Sequence, residues 1–291
     1  MRFGILVGFF ICCLGEVNAQ FLDLARVEYT LVPGDRSSID YRRARVVFNY
    51  PFKLKKDVYF LVGLDYSAIE ASYNDEIESF DGELSDDFTL LDLNFTYTAP
   101  MKNDWRFAMQ VTPGLSSNLE TSLEMDDLVP SGIVLFIKDR TDSEKVKKPN
   151  RIFIGAAYSG SSGVPFPIPF IRYYRKIHPK WSYNIGAPVS NVQYHASESL
   201  RLKLFATLDG FNSNLQRDQM LNTGQDFNRV RLNMILLGTR YEYKFSEHIE
   251  SFLTITRSVN PVIQLRLDRN RVLSLPADNV MHYRIGVRCK I

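Results

Sequence analysis

Cysteine is scarce in this chain: three in 291 residues, at positions 12, 13 and 289. The first two sit in an apolar N-terminal run, so Cys289 stands alone in everything downstream. That excludes an intrachain disulfide and a cysteine-based metal site. Histidine is nearly as rare, and His178, His195, His248 and His282 form neither an HxxxH nor an HExxH pattern. No metal or other cofactor is expected from such spacing. Neither sign of charge dominates, with 35 Lys and Arg against 33 Asp and Glu. A nucleic-acid binder carries a clear basic excess, so no nucleic-acid partner is expected. No stretch of 18 consecutive apolar residues occurs beyond the N-terminus, which excludes a helical membrane protein.

What the N-terminus does have is a leader. Arg2 precedes the short apolar run Phe3–Leu14, and Val17 and Ala19 occupy the −3 and −1 positions of a cut before Gln20. This is the layout of a secretory signal peptide over residues 1–19. The run is too short to span a bilayer as a helix, which takes roughly 20 residues; the competing reading is a buried N-terminal helix. Phe10, Ile11 and Cys12 precede Cys13 without a small residue among them, so no lipidation signal is present. Loss of Arg2 and Glu16 with the leader keeps the formal charge at +2. Residues 20–291 read as one domain with no internal repeat and no low-complexity linker. An exported chain of this size without disulfides suits a Gram-negative envelope better than a eukaryotic secreted domain.

Aromatic residues are abundant, 15 Tyr and 20 Phe, and point toward sheet. The hydropathy pattern has a period of two. Ala25, Val27, Tyr29 and Leu31 share one face, and Arg26, Glu28 and Thr30 the other. Met281, Tyr283, Ile285, Val287 and Cys289 oppose His282, Arg284, Gly286, Arg288 and Lys290. Leu202, Leu204, Ala206 and Leu208 oppose Arg201, Lys203, Phe205, Thr207 and Asp209. Such strands suit either a half-solvated sheet or a barrel wall. Length separates the two. The segments Ser38–Tyr50, Val58–Ile69, Phe88–Thr98, Trp105–Leu115, Val230–Tyr243 and Ile249–Val259 reach the roughly 9–11 residues a membrane strand needs.

The connections alternate between short and long. Pro51–Asp57, Ala99–Asp104, Asp139–Asn150, Lys176–Lys180, Ala196–Glu198 and Phe245–His248 are short; Glu70–Asp87, Ser116–Pro130, Gly210–Asn228 and Asn260–Asn279 are long. Short periplasmic turns and long external loops are the signature of an outer-membrane barrel. Six short turns give 14 antiparallel up-and-down strands with both termini periplasmic, provided Trp181–Gly186 and Val192–His195 form one pair; 12 to 16 strands fit. A soluble β-sandwich or lipocalin-like barrel is the fold alternative. Tyr50, Phe52, Tyr59, Phe60, Tyr97, Trp105, Phe170, Tyr173, Tyr174, Trp181, Tyr241, Tyr243 and Phe245 flank the short turns, where an interfacial girdle belongs.

One central stretch carries a resemblance. It reads Gly155-Ala156-Ala157-Tyr158-Ser159, then Val164-Pro165-Phe166-Pro167-Ile168-Pro169, then Lys180-Trp181. With the leader and the even hairpin series, it resembles the outer-membrane β-barrel proteins of Gram-negative bacteria grouped as a domain of unknown function. The resemblance covers most of the mature chain. It implies the barrel fold and an outer-membrane location, and it carries no chemistry to transfer. The chain departs from the pattern at its end: Ile291 replaces the terminal aromatic residue that barrel-assembly machinery reads, with Tyr283 as the upstream aromatic.

Parity places Arg26, Arg43, Arg45, Arg201, Lys203, Arg229, Arg231, Arg284 and Arg288 in the lumen, with a bulge expected near Gly238. Two readings follow. Rings of basic side chains select anions in pores, or the same side chains pair with carboxylates such as Glu28, Asp209 and Glu242 and fill the barrel. Glu70–Asp87 holds eight acids and no base. Asp75, Glu76, Glu78, Asp81, Glu83, Asp86 and Asp87 are a candidate divalent-cation loop, since Ca²⁺ prefers clustered oxygens, although EF-hand spacing is absent; a solvated surface loop is the alternative. The expected function is a passive pore or uptake channel for small solutes. A non-conducting structural or interaction barrel is the alternative, its acidic loops binding envelope components. A membrane-embedded acyl hydrolase is the third class, and enzyme activity is not expected: no Gly-x-Ser-x-Gly elbow exists, and His282 is the one mid-strand histidine. The expected partners are outer-membrane lipid, lipopolysaccharide and barrel-assembly machinery. Pore and scaffold divide on whether Pro261–Leu275 or Val164–Pro169 occludes the lumen.

Overall fold

A computed structural model of the chain describes residues 23–290 apart from 34–38, 74–83, 142–147, 162–166 and 269. The leader, Asp75, Glu76, Glu78, Asp81 and Glu83 of the acidic loop, and the first part of the Pro-rich loop lie outside the described residues. Sixteen strands form one sheet. They are β1 (Asp23–Val32), β2 (Ile39–Lys55), β3 (Val58–Tyr73), β4 (Leu84–Pro100), β5 (Trp105–Thr112) and β6 (Gly114–Ser117). Next come β7 (Ser131–Arg140), β8 (Asn150–Ser159), β9 (Ile168–His178), β10 (Trp181–Ala187) and β11 (Val189–His195). The last are β12 (Leu200–Met220), β13 (Asp226–Lys244), β14 (Ile249–Leu267), β15 (Asn270–Pro276) and β16 (Met281–Lys290). The only helix among the described residues is a single 3-10 turn, Met125–Asp127.

Fourteen of these strands close into an antiparallel barrel; β6 and β15 stand outside the ring. Closure comes from β1 against β16 and β11 against β12. A closed ring leaves no unpaired backbone edge, which a lipid environment demands. The short turns and the β10–β11 pair appear where the spacing predicts them, except that β2 runs through Pro51–Lys55 and shortens the first turn to Lys56–Asp57, and that residues 142–147 of the third lie outside the described residues. The period-two faces fall as expected on β1, β12 and β16. Val27, Tyr29, Phe48, Leu64, Phe95, Leu204 and Ile285 point outward, exposed to lipid, while Glu28, Thr30, Glu242 and His282 are buried inside. Tyr50, Phe52, Tyr97, Trp181, Tyr241, Tyr243 and Phe245 form an exposed aromatic band at the turn end. Tyr59 is buried instead and Phe170 lines an internal cavity, because each falls on the inward parity of its strand.

The wall is uneven in height. β10 and β11 have seven residues each, whereas β12, β13 and β14 have 21, 19 and 19. Most of the expected external loops Gly210–Asn228 and Asn260–Asn279 are therefore strand. At Gly210 φ is +144°, and a Cβ there would lie 2.0 Å from the Leu232 carbonyl oxygen. Only glycine fits that backbone. Beyond Gly210, Phe211, Leu215, Val230, Leu232, Ile263, Leu265 and Leu275 of β12–β15 pack on Val32, Ile39, Tyr41, Ile69, Phe88 and Leu90 of β1–β4. Tyr41 and Phe88 flank Phe211 with ring centroids 6.2 and 5.3 Å away. Burying each such side chain contributes about 1.5–3 kcal/mol. The segment Pro261–Leu275 is thus an added hairpin, folded onto an apolar core at the outer end of the barrel.

Candidate functional site: the lumen and its cap

Two charge clusters occupy the β1 and β12–β16 side of the lumen. Toward the turn end, Glu242 on β13 accepts from Lys203 at 2.6 Å and Arg288 at 2.9 Å, and pairs with Arg201. Neighbouring Glu250 on β14 takes Lys290 at 2.7 Å together with Arg288 and Arg201. Farther along the lumen, Arg45 grips both oxygens of Asp65 and reaches Glu28 at 3.4 Å. Arg284 donates to Asp209 at 2.8 Å and to Thr30 at 2.8 Å. Arg26 lies 3.6 Å from Asp23 and 3.7 Å from Glu28. Six of the nine predicted lumenal cations are therefore paired, with Glu28, Asp209 and Glu242 in the counter-ion role expected of them.

Arg43 is the exception. Its Nε and Nη2 both donate to the Ser67 hydroxyl, at 3.1 and 2.9 Å, and it forms no ion pair among the described residues. Arg229 and Arg231 depart from the expected placement. The register of β13 against β14 shifts between Asn233 and Ile235, where β14 advances from Val259 to Val262, so the extra residue and the inverted parity belong to β14. On β13, Val230, Leu232, Met234 and Leu236 keep the inward parity of Glu242. Below the shift the lumen receives Gly238, Arg240 and Glu242. Above it Arg231 donates to the Asn212 side chain at 3.2 Å and Arg229 to the Asp126 carbonyl at 2.6 Å. The inversion expected near Gly238 does not occur on β13, so Arg229 and Arg231 fall on the parity opposite to Arg240 and Glu242, and both donate to groups of the outer cap.

Parity on β9 and β13 supplies further basic residues that the prediction did not name. Arg172 donates to Asn184 at 3.2 Å and lies over Phe153; Arg240 donates to Thr254 at 2.9 Å and lies over Phe252. Neither meets a carboxylate among the described residues.

Beside these clusters the lumen holds open space. A cavity of about 530 Å³ is lined by Asn49, Asp65, Asp92, Asn94, Gln110 and Thr112 among others. A second, of about 360 Å³, shares Asp65 and Asp92 with it and adds Arg43. A third, of about 330 Å³, shares Gln110 with the first and contains Arg172. Asn94, Gln110, Thr112 and Thr96 saturate one another through bonds of 2.8–3.0 Å.

The predicted external loop Ser116–Pro130 folds inward across the mouth. β6 leaves the wall at β4 and bridges in parallel to Asn214 of β12, on the far side of the ring. Asn212 completes the crossing, accepting from Ser116 at 2.8 Å on its carbonyl and donating to Gly160 and Ser161 of the β8 end. Asp127, fully buried, is the keystone. It accepts from the Glu124 N–H at 2.8 Å, from Asn214 at 2.8 Å and from Gln216 at 2.7 Å. Burial by itself would raise the Asp127 pKa, but these bonds and one from Ser117 outweigh it and hold the carboxyl below the usual range. The acidic composition of this segment was visible in the sequence; its partners on β12, about 90 residues downstream, were not.

The remaining candidates are quickly placed. His282 faces inward opposite Thr256, and its Nε2 has no partner among the described residues. His195 Nε2 lies 2.9 Å from the hydroxyl of the fully buried Ser182, a pairing that arises from adjacent strands. Asp86 and Asp87 lie near the start of β4. No cluster of three metal-ligating side chains occurs among the described residues.

These features define an outer-membrane β-barrel. The chain belongs to the family described as a domain of unknown function, DUF6268, whose model matches residues 34–266. No curated protein sequence matches it. Among solved structures it is similar to the KdgM porin in complex with disordered oligogalacturonate, at 8% identity and a TM-score of 0.37 over 91% of this chain and 99% of that one. It is similar to LpxR from Salmonella typhimurium at 10% identity and 0.38, over 92% and 99%. The P. putida toluene transporter TodX matches at 11% identity and 0.38, over 92% and 90%. At these identities and scores the likeness carries no function.

Proposed function

We propose that this protein is a passive outer-membrane channel for small solutes, with a preference for anions. The observation that supports the reading is the imbalance in the open part of the lumen. Two of its three cavities each contain an arginine without a carboxylate partner, Arg43 and Arg172, against one unpaired carboxylate, Asp92. Fixed positive charge beside low-dielectric walls concentrates anions. Arg26, Arg45, Arg201, Arg284 and Arg288 are neutralised locally and contribute shape more than field.

Planar-bilayer recording across a KCl gradient tests this. The expected reversal potential has the sign of chloride selectivity, and Arg43→Gln with Arg172→Gln moves it toward zero. An unchanged potential in the double variant would remove the two arginines from the selectivity mechanism.

A second reading is a non-conducting barrel whose acidic loops bind lipopolysaccharide or other envelope components. The cap across the mouth favours it. Absence of conductance in a sample whose heat-modifiable gel shift shows a folded barrel would select that reading.

A further inference from the structure

We infer that the lumenal cavity lined by Arg43 and Asp92 is a binding site for a small zwitterion, with an α-amino acid as the simplest occupant. Asp65 and Asp92 stand directly opposite each other on β3 and β4, and both line the same two cavities. Like charges in that relation repel. Asp65 is neutralised by the two-point grip of Arg45. Asp92 has no such relief: it forms no ion pair with a described residue, and its Oδ1 is buried without a hydrogen-bond donor. Gly114 faces it in register on β6, where a Cβ would come within 2.2 Å of that oxygen. The carboxylate therefore occupies room that any other residue at 114 would fill.

The same cavity carries the complementary defect. Arg43 spends two N–H groups on one hydroxyl and meets no carboxylate. Ser67, which holds that guanidinium, pairs with Leu90, so Asp92 is its diagonal neighbour, a spacing of about 7–8 Å. Arg43 and Asp92 thus line one cavity without pairing, the buried Oδ1 of Asp92 being turned to Gly114. The opposite wall, Ile168, Phe170 and Pro188, is apolar and suits an aliphatic side chain. The volume of about 360 Å³ is at the small end of ligand sites.

The inference rests on the channel reading only in that solute must reach the lumen. The test is calorimetric titration of L-leucine into the folded full-length barrel in detergent. Isocaproate, which lacks the ammonium, and isoamylamine, which lacks the carboxylate, are the comparators, with bilayer conductance measured on the same sample. The expected result is leucine binding at least tenfold tighter than either analogue, weakened at least tenfold by Asp92→Asn in a variant that keeps its heat-modifiable shift. Conductance in KCl without leucine binding would overturn the site and leave the channel. Leucine binding without conductance would keep the site and overturn the channel. Equal affinity for leucine and one of its analogues, or an unaffected Asp92→Asn, would also overturn the zwitterion assignment.

Discussion

Glu242→Ala is expected to lower the stability of the folded barrel by about 3–5 kcal/mol, the usual consequence of removing one partner from a buried ion pair. Glu242 is 1% exposed and serves Arg201, Lys203 and Arg288 at once. Without it, Arg201 and Arg288 keep only Glu250, which already binds Lys290, and Lys203 loses its one carboxylate among the described residues. The loss is therefore larger than that of one contact, because the uncompensated charges remain enclosed by the wall. Urea unfolding in lipid vesicles, read by the heat-modifiable gel shift, measures it. Glu242→Gln keeps the shape and removes the charge, so it should lose most of the same stability. The freed cations should also strengthen chloride selectivity. A stability change under about 1 kcal/mol in both variants would mean that water enters this cluster and screens it.

Asp127→Ala is expected to open the cap. Asn214 and Gln216 lose their acceptor together with the Glu124 N–H, at a cost of about 2–3 kcal/mol for charge-assisted bonds. At about 1.4 kcal/mol per tenfold, cap opening should become roughly 30- to 150-fold more frequent. External protease should then cut within 118–124 correspondingly faster, and bilayer conductance should rise.

Acid should act on the same group. The folded pKa of Asp127 is depressed. Its contribution is therefore complete above the unfolded-chain value of about 3.9 and is lost as pH falls through the lower folded value. Wild-type cleavage in this segment should accelerate below about pH 4. Asp127→Asn should be fast already at neutral pH and show no such acceleration. A parallel acid response in Asp127→Asn would assign the effect to other carboxylates.

The features legible in the sequence were those set by neighbours one or two residues apart. Alternation assigns Arg26, Arg45 and Arg284 to one face of their strands because successive side chains point to opposite sides of a sheet. The turns Phe245–His248 and Lys176–Lys180 separate runs of fixed length, so the strand number follows from counting. Composition established that the membrane is crossed by strands and not by helices. Parity failed for Arg229 and Arg231 because the inversion expected near Gly238 is absent: the inward set of β13 runs unbroken from Val230 to Glu242.

The tertiary structure alone decided who meets whom across the lumen. Arg284 and Asp209 lie 75 residues apart in sequence, and Asp127 and Asn214 lie 87 apart. No local pattern encodes such pairs. Closure of the ring brings β12 and β16 to one side of the lumen and sets β4 opposite β12. For the same reason the acidic segment Ser116–Pro130 reads as a solvated loop, although its polar groups find partners on the outer end of β12. Asp92 and Arg43 likewise look like ordinary inward residues of their strands. Only the packed interior shows that every neighbouring charge is already committed and that these two line one cavity without pairing.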